Sequence, residues 1–418
     1  MSEMPQIKPP LKFFFAFLAF FVILPVNAQV SRDRLGDIPE LLSEAAVVMD
    51  AATGTLLYYK NPDLEIPPAS LTKLMTMHLA LREISAGNIS LDRDIFPPEE
   101  SWSVNQPLHS SLMFLGEGQR TNLHELLLGL AVSSGNDAAV AVALQFAPSV
   151  RDFAAMMNQE AQALGLTRTR FVEPSGISEF NMTTAREFAN FCRFYINAHP
   201  ETLKTYHSVL EFGYPRAANM LDGRRPISIL PTGQRISGTI VPRNNNRLLG
   251  VVEGVDGLKT GYIDESGYNL ALTAERGETR FIVIILGAPR LNGIQIREEE
   301  GKRLLDWAFT HYRTIRPEMP GQLTTRVWKG RENYANLEPA EALDFTSFAN
   351  RGYPLNSRLE LVDPLVAPLP PGSFAGDLIF YDSEGELHRV PLVLTEGIRE
   401  GNFFKRLWDS IRLFFRRS

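Results

Sequence analysis

The stretch "PPASLTKLMTMHLALREI" (Pro67–Ile84) reads as a helix being launched. Pro67 and Pro68 suit an entry segment, and Ser70 can sit near the N-terminus. Leu71, Leu74, Met75 and Leu79 supply an apolar stripe. Lys73 lies three residues after Ser70, a spacing that shares one helix face. A serine hydroxyl is a poor nucleophile until something takes its proton. A lysine can take it if burial lowers its pKa, and a helix N-terminus also disfavours an ammonium. Alone, the pair is weak evidence, since Ser-x-x-Lys recurs by chance and reads more readily as a helix start carrying one exposed lysine.

Two segments downstream answer that ambiguity. "SSGND" (Ser133–Asp137) is a polar break in an alanine-rich helical region from Leu123 to Ala147, and holds Ser134, Gly135 and Asn136. "VDGLKTGY" (Val255–Tyr262) reads as a strand carrying Lys259, Thr260 and Gly261. Ser-x-x-Lys, Ser-x-Asn and Lys-Thr-Gly in this order form the signature of penicillin-binding proteins and serine β-lactamases.

The surrounding texture gives the architecture. "AAVVMDAATGTLLYYKN" (Ala45–Asn61) reads as strand, turn, strand. Helices are expected over Val150–Leu164, Thr184–Ala198 and Ile294–Tyr312, and strands over Val255–Thr260, Asn269–Ala274 and Arg280–Leu286. Tyr206–Val241 is rich in Gly and Pro and reads as an excursion or small subdomain. "RPEMPG" (Arg316–Gly321) marks a boundary, after which short alternating runs to about residue 395 predict a small all-β domain. The expected fold class is α+β, with helices on an antiparallel sheet and a β module behind it.

Lys8 and Lys12 precede the apolar run Phe13–Leu24, with Val26 and Ala28 at signal-peptidase spacing. Residues 1–28 therefore read as a secretory signal peptide, with an uncleaved anchor as the alternative. At 418 residues there is length for two domains, and the net charge of −6 gives no basic footprint for nucleic acid. The one cysteine, Cys192, excludes an intramolecular disulfide and reads as a packed helix residue.

With the motifs in place, the chain resembles the low-molecular-mass penicillin-binding proteins, the D-alanyl-D-alanine carboxypeptidases of serine peptidase family S11. The likeness extends to "DAATGTLLYYKN", "PPASLTKLMT", "SSGNDAAVAVA" and "FVEPSGI", across most of residues 45–312. It implies a β-lactamase/transpeptidase-like catalytic domain over 40–313 with an all-helical lobe. A β domain over 320–395 and an amphipathic anchor over 400–418 would follow. It further implies that Ser70 attacks the D-Ala-D-Ala carbonyl, Lys73 is the base, and Ser134 relays a proton. Asn136 would hold Lys73 and the substrate amide. Lys259 and Thr260 would bind the terminal carboxylate beside Gly261, and the N–H groups of Ser70 and Tyr262 would form the oxyanion hole. Neither metal nor cofactor is called for. The implied partners are peptidoglycan stem peptides and β-lactams.

Some features depart from the family pattern. Ile263 follows Tyr262 where a threonine is common, "DES" (Asp264–Ser266) is acidic, and the excursion is long. "NNN" (Asn244–Asn246) lacks the basic residue some members carry. Arg297 either adds positive potential at the carboxylate site or is a solvated helix charge paired with a glutamate. The tail "NFFKRLWDSIRLFFRRS" (Asn402–Ser418) places aromatics and cations on opposite sides of a helix. It suits an anionic membrane interface, or packing of its apolar face on the β domain. Competing functions are a D,D-endopeptidase, a β-lactamase using Glu173, and a non-catalytic peptidoglycan or penicillin binder.

Overall fold

The computed structural model describes residues 39–221 and 223–416; the signal-peptide reading of residues 1–28 lies outside them. The first strands are β1 (Ala45–Asp50) and β2 (Leu56–Lys60), followed by helix α1 (Lys73–Ser85). A helical lobe follows: α2 (Leu123–Leu128), α3 (Asn136–Phe146), α4 (Val150–Ala163) and α5 (Ala185–Ala198). Asn122, Ser149 and Thr184 cap α2, α4 and α5 by accepting N–H bonds from Glu125, Asp152 and Glu187.

The excursion carries a short hairpin, β3 (Ile227–Ile229) and β4 (Arg235–Ser237). Then come β5 (Val255–Ile263), β6 (Gly267–Arg276), β7 (Thr279–Ala288) and helix α6 (Gly293–His311). The resulting antiparallel sheet has the order β2-β1-β7-β6-β5, so β5 lies at an edge. Its inner strands are buried on both faces because α5 covers β1 and β7 while α6 covers β6 and β7. That double burial explains their continuous apolar runs.

The C-terminal part contains β8 (Tyr312–Ile315), β9 (Leu323–Trp328), β10 (Tyr334–Pro339), β11 (Phe345–Phe348), β12 (Asn356–Leu361), β13 (Leu365–Val366), β14 (Phe374–Asp382) and β15 (Gly385–Leu394). Six of these form a sheet, β12-β14-β15-β10-β9-β13, with its own core around Val327, Leu378, Val390 and Leu392. Helix α7 (Phe403–Arg416) closes the described chain. The expected break at 313–320 is not clean. β8 pairs with β11, and Thr314 and Thr346 both donate to the buried Asp50 of β1, at 2.9 and 2.7 Å. The stretch 312–315 thus ties the second core to the first, a long-range pairing that local turn chemistry could not announce.

Candidate active site

Ser70 does not lie in the first turn of an α-helix. It occupies a 3₁₀ turn, Ala69–Thr72, and α1 begins at Lys73. Ala69 holds a left-handed φ of 51°. Two glycines press on this turn. A Cβ on Gly176 would lie 1.8 Å from the Ala69 carbonyl oxygen, and one on Gly261 would lie 3.0 Å from the Ser70 nitrogen. Only glycine lets the 173–181 loop and strand β5 approach the Ser70 backbone this closely.

Lys73 is fully buried, and its Nζ has three neighbours. It lies 2.9 Å from Ser70 Oγ, 2.7 Å from Asn136 Oδ1 and 2.5 Å from the Ser175 carbonyl oxygen. The last two can only accept. A neutral amine has two N–H groups and one lone pair. Those acceptors consume both N–H groups, so the lone pair points at Ser70 Oγ. Burial lowers the Lys73 pKa to about 7, against the opposing pull of Glu173 and Asp137.

Ser134 and Asn136 stand where a π-helical turn, Gly129–Ser133, meets α3. Ser134 adopts the left-handed conformation, φ 56°, which turns its side chain out of the helical ladder. The next residue, Asp137, is fully buried and accepts N–H bonds from Met113, Phe114, Leu115 and Ala138 at 2.7–3.0 Å. Burial raises its pKa to about 6, and the four donors limit the rise. Asp137 thereby fixes the 111–115 loop against α3, and Asn136 N–H donates to the Ser111 carbonyl at 2.8 Å. A side chain at Gly135 would meet the Met113 nitrogen at 2.9 Å.

Lys259 Nζ donates to Ser134 Oγ at 2.8 Å and to the Thr260 carbonyl at 2.9 Å. Burial, then Lys73 and Arg297, hold its pKa well below the usual lysine range. The edge of β5 is clamped just before Lys259. His207 Nδ1 lies 3.2 Å from the Leu258 carbonyl, and Asn246 Nδ2 donates to that of Gly257 at 3.3 Å. The carbonyl requires Nδ1–H, so Nε2 of a neutral His207 accepts from Tyr195 O–H at 2.9 Å. Burial pushes the His207 pKa down to about 3, which keeps it neutral beside Lys259.

Arg297 is buried rather than solvated. Its guanidinium stacks 5.7 Å from the Tyr268 ring centroid, and its Nε has no hydrogen-bond partner. It does contact Glu298, at 3.4 Å, and the Asn245 carbonyl, so pairing with a glutamate is retained while solvation is not. The Tyr262 ring stacks on Tyr268 at 4.3 Å and its hydroxyl donates to Asp264 at 2.5 Å.

Sequence reasoning missed three contributors: the Ser175 carbonyl, Asp137, and the role of Glu173. The Glu173 carboxylate accepts from Ser175 N and Oγ, from the N–H groups of Gly176 and Ser178, and from Asn181 Nδ2. These bonds fold the 173–181 loop that aims the Ser175 carbonyl at Lys73. A carboxylate so occupied is a scaffold, not a free base for hydrolysing an acyl-enzyme. Cys192 is buried, with its thiol pKa pushed well up, as a packed residue requires.

The family model of D-alanyl-D-alanine carboxypeptidases, peptidase family S11, matches residues 34–290. The D-alanyl-D-alanine carboxypeptidase DacC of Escherichia coli is 32% identical over 402 residues, 94% of each chain. Penicillin-binding protein 5 of Haemophilus influenzae superposes with a TM-score of 0.73 at 29% identity, covering 87% of this chain and 99% of its own. Penicillin-binding protein D2 of Listeria monocytogenes, solved with cefotaxime bound, has a TM-score of 0.53 at 29% identity, covering 65% of this chain and 99% of its own. On the family match and the full-length likeness, the chain belongs to the S11 family of D-alanyl-D-alanine carboxypeptidases.

Proposed function

We propose that this enzyme, a penicillin-binding serine D-Ala-D-Ala carboxypeptidase, works through an acyl-enzyme on Ser70 and trims the terminal D-alanine from peptidoglycan stem peptides. The observation that supports the reading best is Lys73 Nζ 2.9 Å from Ser70 Oγ, with both its other contacts made to acceptors, beside the Lys259–Ser134 pair at a sheet edge. A peptide can add to that edge as a further strand over Thr260–Tyr262. Its terminal carboxylate then meets Lys259 and Thr260, with Arg297 adding positive potential from behind Tyr268. An arriving carboxylate favours the charged form of Lys259.

In acylation, Ser70 Oγ bonds to the carbonyl carbon while Lys73 takes the hydroxyl proton. The oxyanion is held by the N–H groups of Ser70 and Tyr262. As the C–N bond breaks, Ser134 passes a proton to the leaving D-alanine amine, and Lys73 makes good the proton that Ser134 gives up. Asn136 keeps Lys73 and the substrate amide in register. Water then attacks the ester carbonyl and releases Ser70. β-Lactams enter the same acylation step, but their leaving amine stays attached.

The chemistry is assigned to residues 40–313, and the β domain over 320–395 acts as a stand-off. Helix α7 is proposed to seat the protein on the outer face of the cytoplasmic membrane. Its polar side faces the β domain: buried Asp409 accepts from Lys329 N–H at 2.7 Å, and Lys405 reaches Asn333. The aromatic side faces outward, with Phe404 and Phe415 79% and 73% exposed. This polarity suits an interface helix and is the reverse of a helix packing its apolar face on its own domain.

The test is acylation by a fluorescent penicillin followed by D-alanine release from a soluble pentapeptide ending in D-Ala-D-Ala. Both are expected in the wild type and neither in Ser70→Ala. Labelling at Ser70 without D-alanine release sinks the carboxypeptidase reading, leaving an endopeptidase or a binder.

A further inference from the structure

The excursion, taken together with the asparagine-rich stretch that follows it, forms a segment between His207 and Leu249 that differs in charge from the rest of the molecule. It holds six arginines, Arg216, Arg224, Arg225, Arg235, Arg243 and Arg247, against only Glu211 and Asp222, in a chain of net charge −6. Arg216 pairs with Glu125, and Arg247 reaches Glu298 at 3.9 Å. Arg225, Arg235 and Arg243 are exposed and make no ion pair among the described residues.

The segment that carries them is firmly built. Bridges Glu211–Arg243 and Tyr214–Ile240 zip its two arms together. One end rises beside Lys259, where Asn244 Nδ2 donates to the His207 and Val209 carbonyls. The other leans on the helical lobe. Tyr214 O–H donates to Gln119, Asn219 Nδ2 to the Arg120 carbonyl, and Ser103 Oγ to the Ile229 carbonyl. Ser103 N–H donates to the Leu115 carbonyl, and Leu115 N–H donates to Asp137, next to Asn136. The excursion therefore spans both walls of the cleft. In the β3–β4 hairpin, Ser228 is buried while Ile229 and its partner Arg235 face outward.

We propose that the outward arginines of this excursion form a second contact surface for polymeric peptidoglycan, engaging carboxylates on peptide arms next to the one being cut. The inference rests on the proposed carboxypeptidase reading. A small peptide occupies only the cleft, whereas a cross-linked wall presents many free carboxylates around each cut end. A net-negative enzyme is repelled by such a polymer unless a cationic surface lies where the polymer enters. Arg225, Arg235 and Arg243 supply one along the exposed side of the segment, and guanidinium groups match carboxylate geometry.

The experiment compares the full chain with Arg225→Gln/Arg235→Gln/Arg243→Gln. D-alanine release is measured from a soluble pentapeptide and from insoluble pentapeptide-rich sacculi, at low and high salt, with co-sedimentation on the same sacculi. The variant should match wild type within about twofold on the soluble peptide, since these residues lie outside the cleft. On sacculi at low salt it should lose about fivefold in rate and in co-sedimentation, the combined effect of three exposed ion pairs. High salt should bring wild type down to the variant. Equal rates and equal co-sedimentation on sacculi would overturn the proposal. So would loss confined to binding of phosphatidylglycerol vesicles, which would make the surface membrane-facing. If neither protein releases D-alanine from the soluble peptide, the carboxypeptidase reading fails, and co-sedimentation still decides the surface.

Discussion

At the scale of single residues, the proposed role of Ser70 as nucleophile depends on where one lone pair points. The Asn136 side-chain oxygen and the Ser175 carbonyl occupy the two N–H groups of neutral Lys73, leaving the lone pair for Ser70 Oγ. Lys73→Ala should cut penicillin acylation by about 10³-fold, within the range of a general base, and normal labelling of that variant would refute the assignment. The pH dependence has a definite sign. The working form is the neutral amine, so acylation rises through the Lys73 pKa of about 7 and levels off above it. Two units below that pKa about 1% of the amine is neutral, so the rate should fall about a hundredfold at pH 5. A rate unchanged between pH 5 and 8 would exclude Lys73 as the base. The pair Ser70 and Lys73 was legible in the sequence because their spacing is local and their chemistry lies in their side chains. The Ser175 carbonyl was not, since any residue type supplies a carbonyl. Glu173 was visible only as an unassigned acid, because its meaning comes from the five groups that converge on it. Glu173→Ala should destabilise the fold by about 2–4 kcal/mol, since it leaves several buried donors unpaired, and should slow acylation while Ser70 and Lys73 remain intact. Thermal unfolding and labelling rate measured together check this, and an unchanged melting temperature would contradict the scaffold role.

At the scale of elements, the site is an edge strand brought against a tight turn. β5 lies at the sheet edge, and His207 and Asn246 cover its approach to Lys259. The open part then begins at Thr260–Tyr262, the residues proposed to meet substrate. Gly261 is the contact point, because a Cβ there would crowd the Pro68 carbonyl at 2.9 Å and the Ser70 nitrogen at 3.0 Å. Gly261→Ala should therefore push the strand from the serine turn and cost on the order of a hundredfold in acylation, the scale of one lost oxyanion donor. Overpacking of this buried contact should also lower stability, by about 1–3 kcal/mol. The measurement is acylation rate beside thermal melting, and normal acylation would show that this close approach is dispensable. The main strands and helices were legible because β-branched runs and amphipathic spacing persist over many residues. The 3₁₀ turn at Ser70 was not. It is imposed by Gly176 and Gly261, which lie more than a hundred residues downstream. The β8–β11 pairing across the expected boundary has the same origin in distant contacts.

At the scale of the whole molecule, α7 is turned inside out relative to a helix that completes a soluble core. Asp409 is buried against the Lys329 backbone and Arg416 pairs with Asp363 at 2.9 Å, so the polar side holds the helix to the β domain. Phe403, Phe404, Leu407, Trp408, Ile411, Phe414 and Phe415 are left exposed. Inserting such a ridge into a lipid interface would gain on the order of 5–10 kcal/mol of gross transfer free energy, before the cost of ordering. Arg412 adds attraction to anionic headgroups of about 1 kcal/mol. Because the docking contacts are polar and the exposed side is apolar, the two functions separate by mutation. Phe404→Ser/Phe414→Ser/Phe415→Ser should abolish flotation with phosphatidylglycerol vesicles while leaving D-alanine release and the melting temperature unchanged. Deleting residues 402–418 should give the same loss of flotation and keep activity on a soluble peptide, since the first core and the cleft lie within residues that α7 does not complete. Asp409→Ala should do the opposite, retaining vesicle binding while loosening the helix from the β domain, which limited proteolysis near Gly401 would detect. Persistent flotation after the deletion would place the membrane contact elsewhere and leave the outward aromatic ridge without a role.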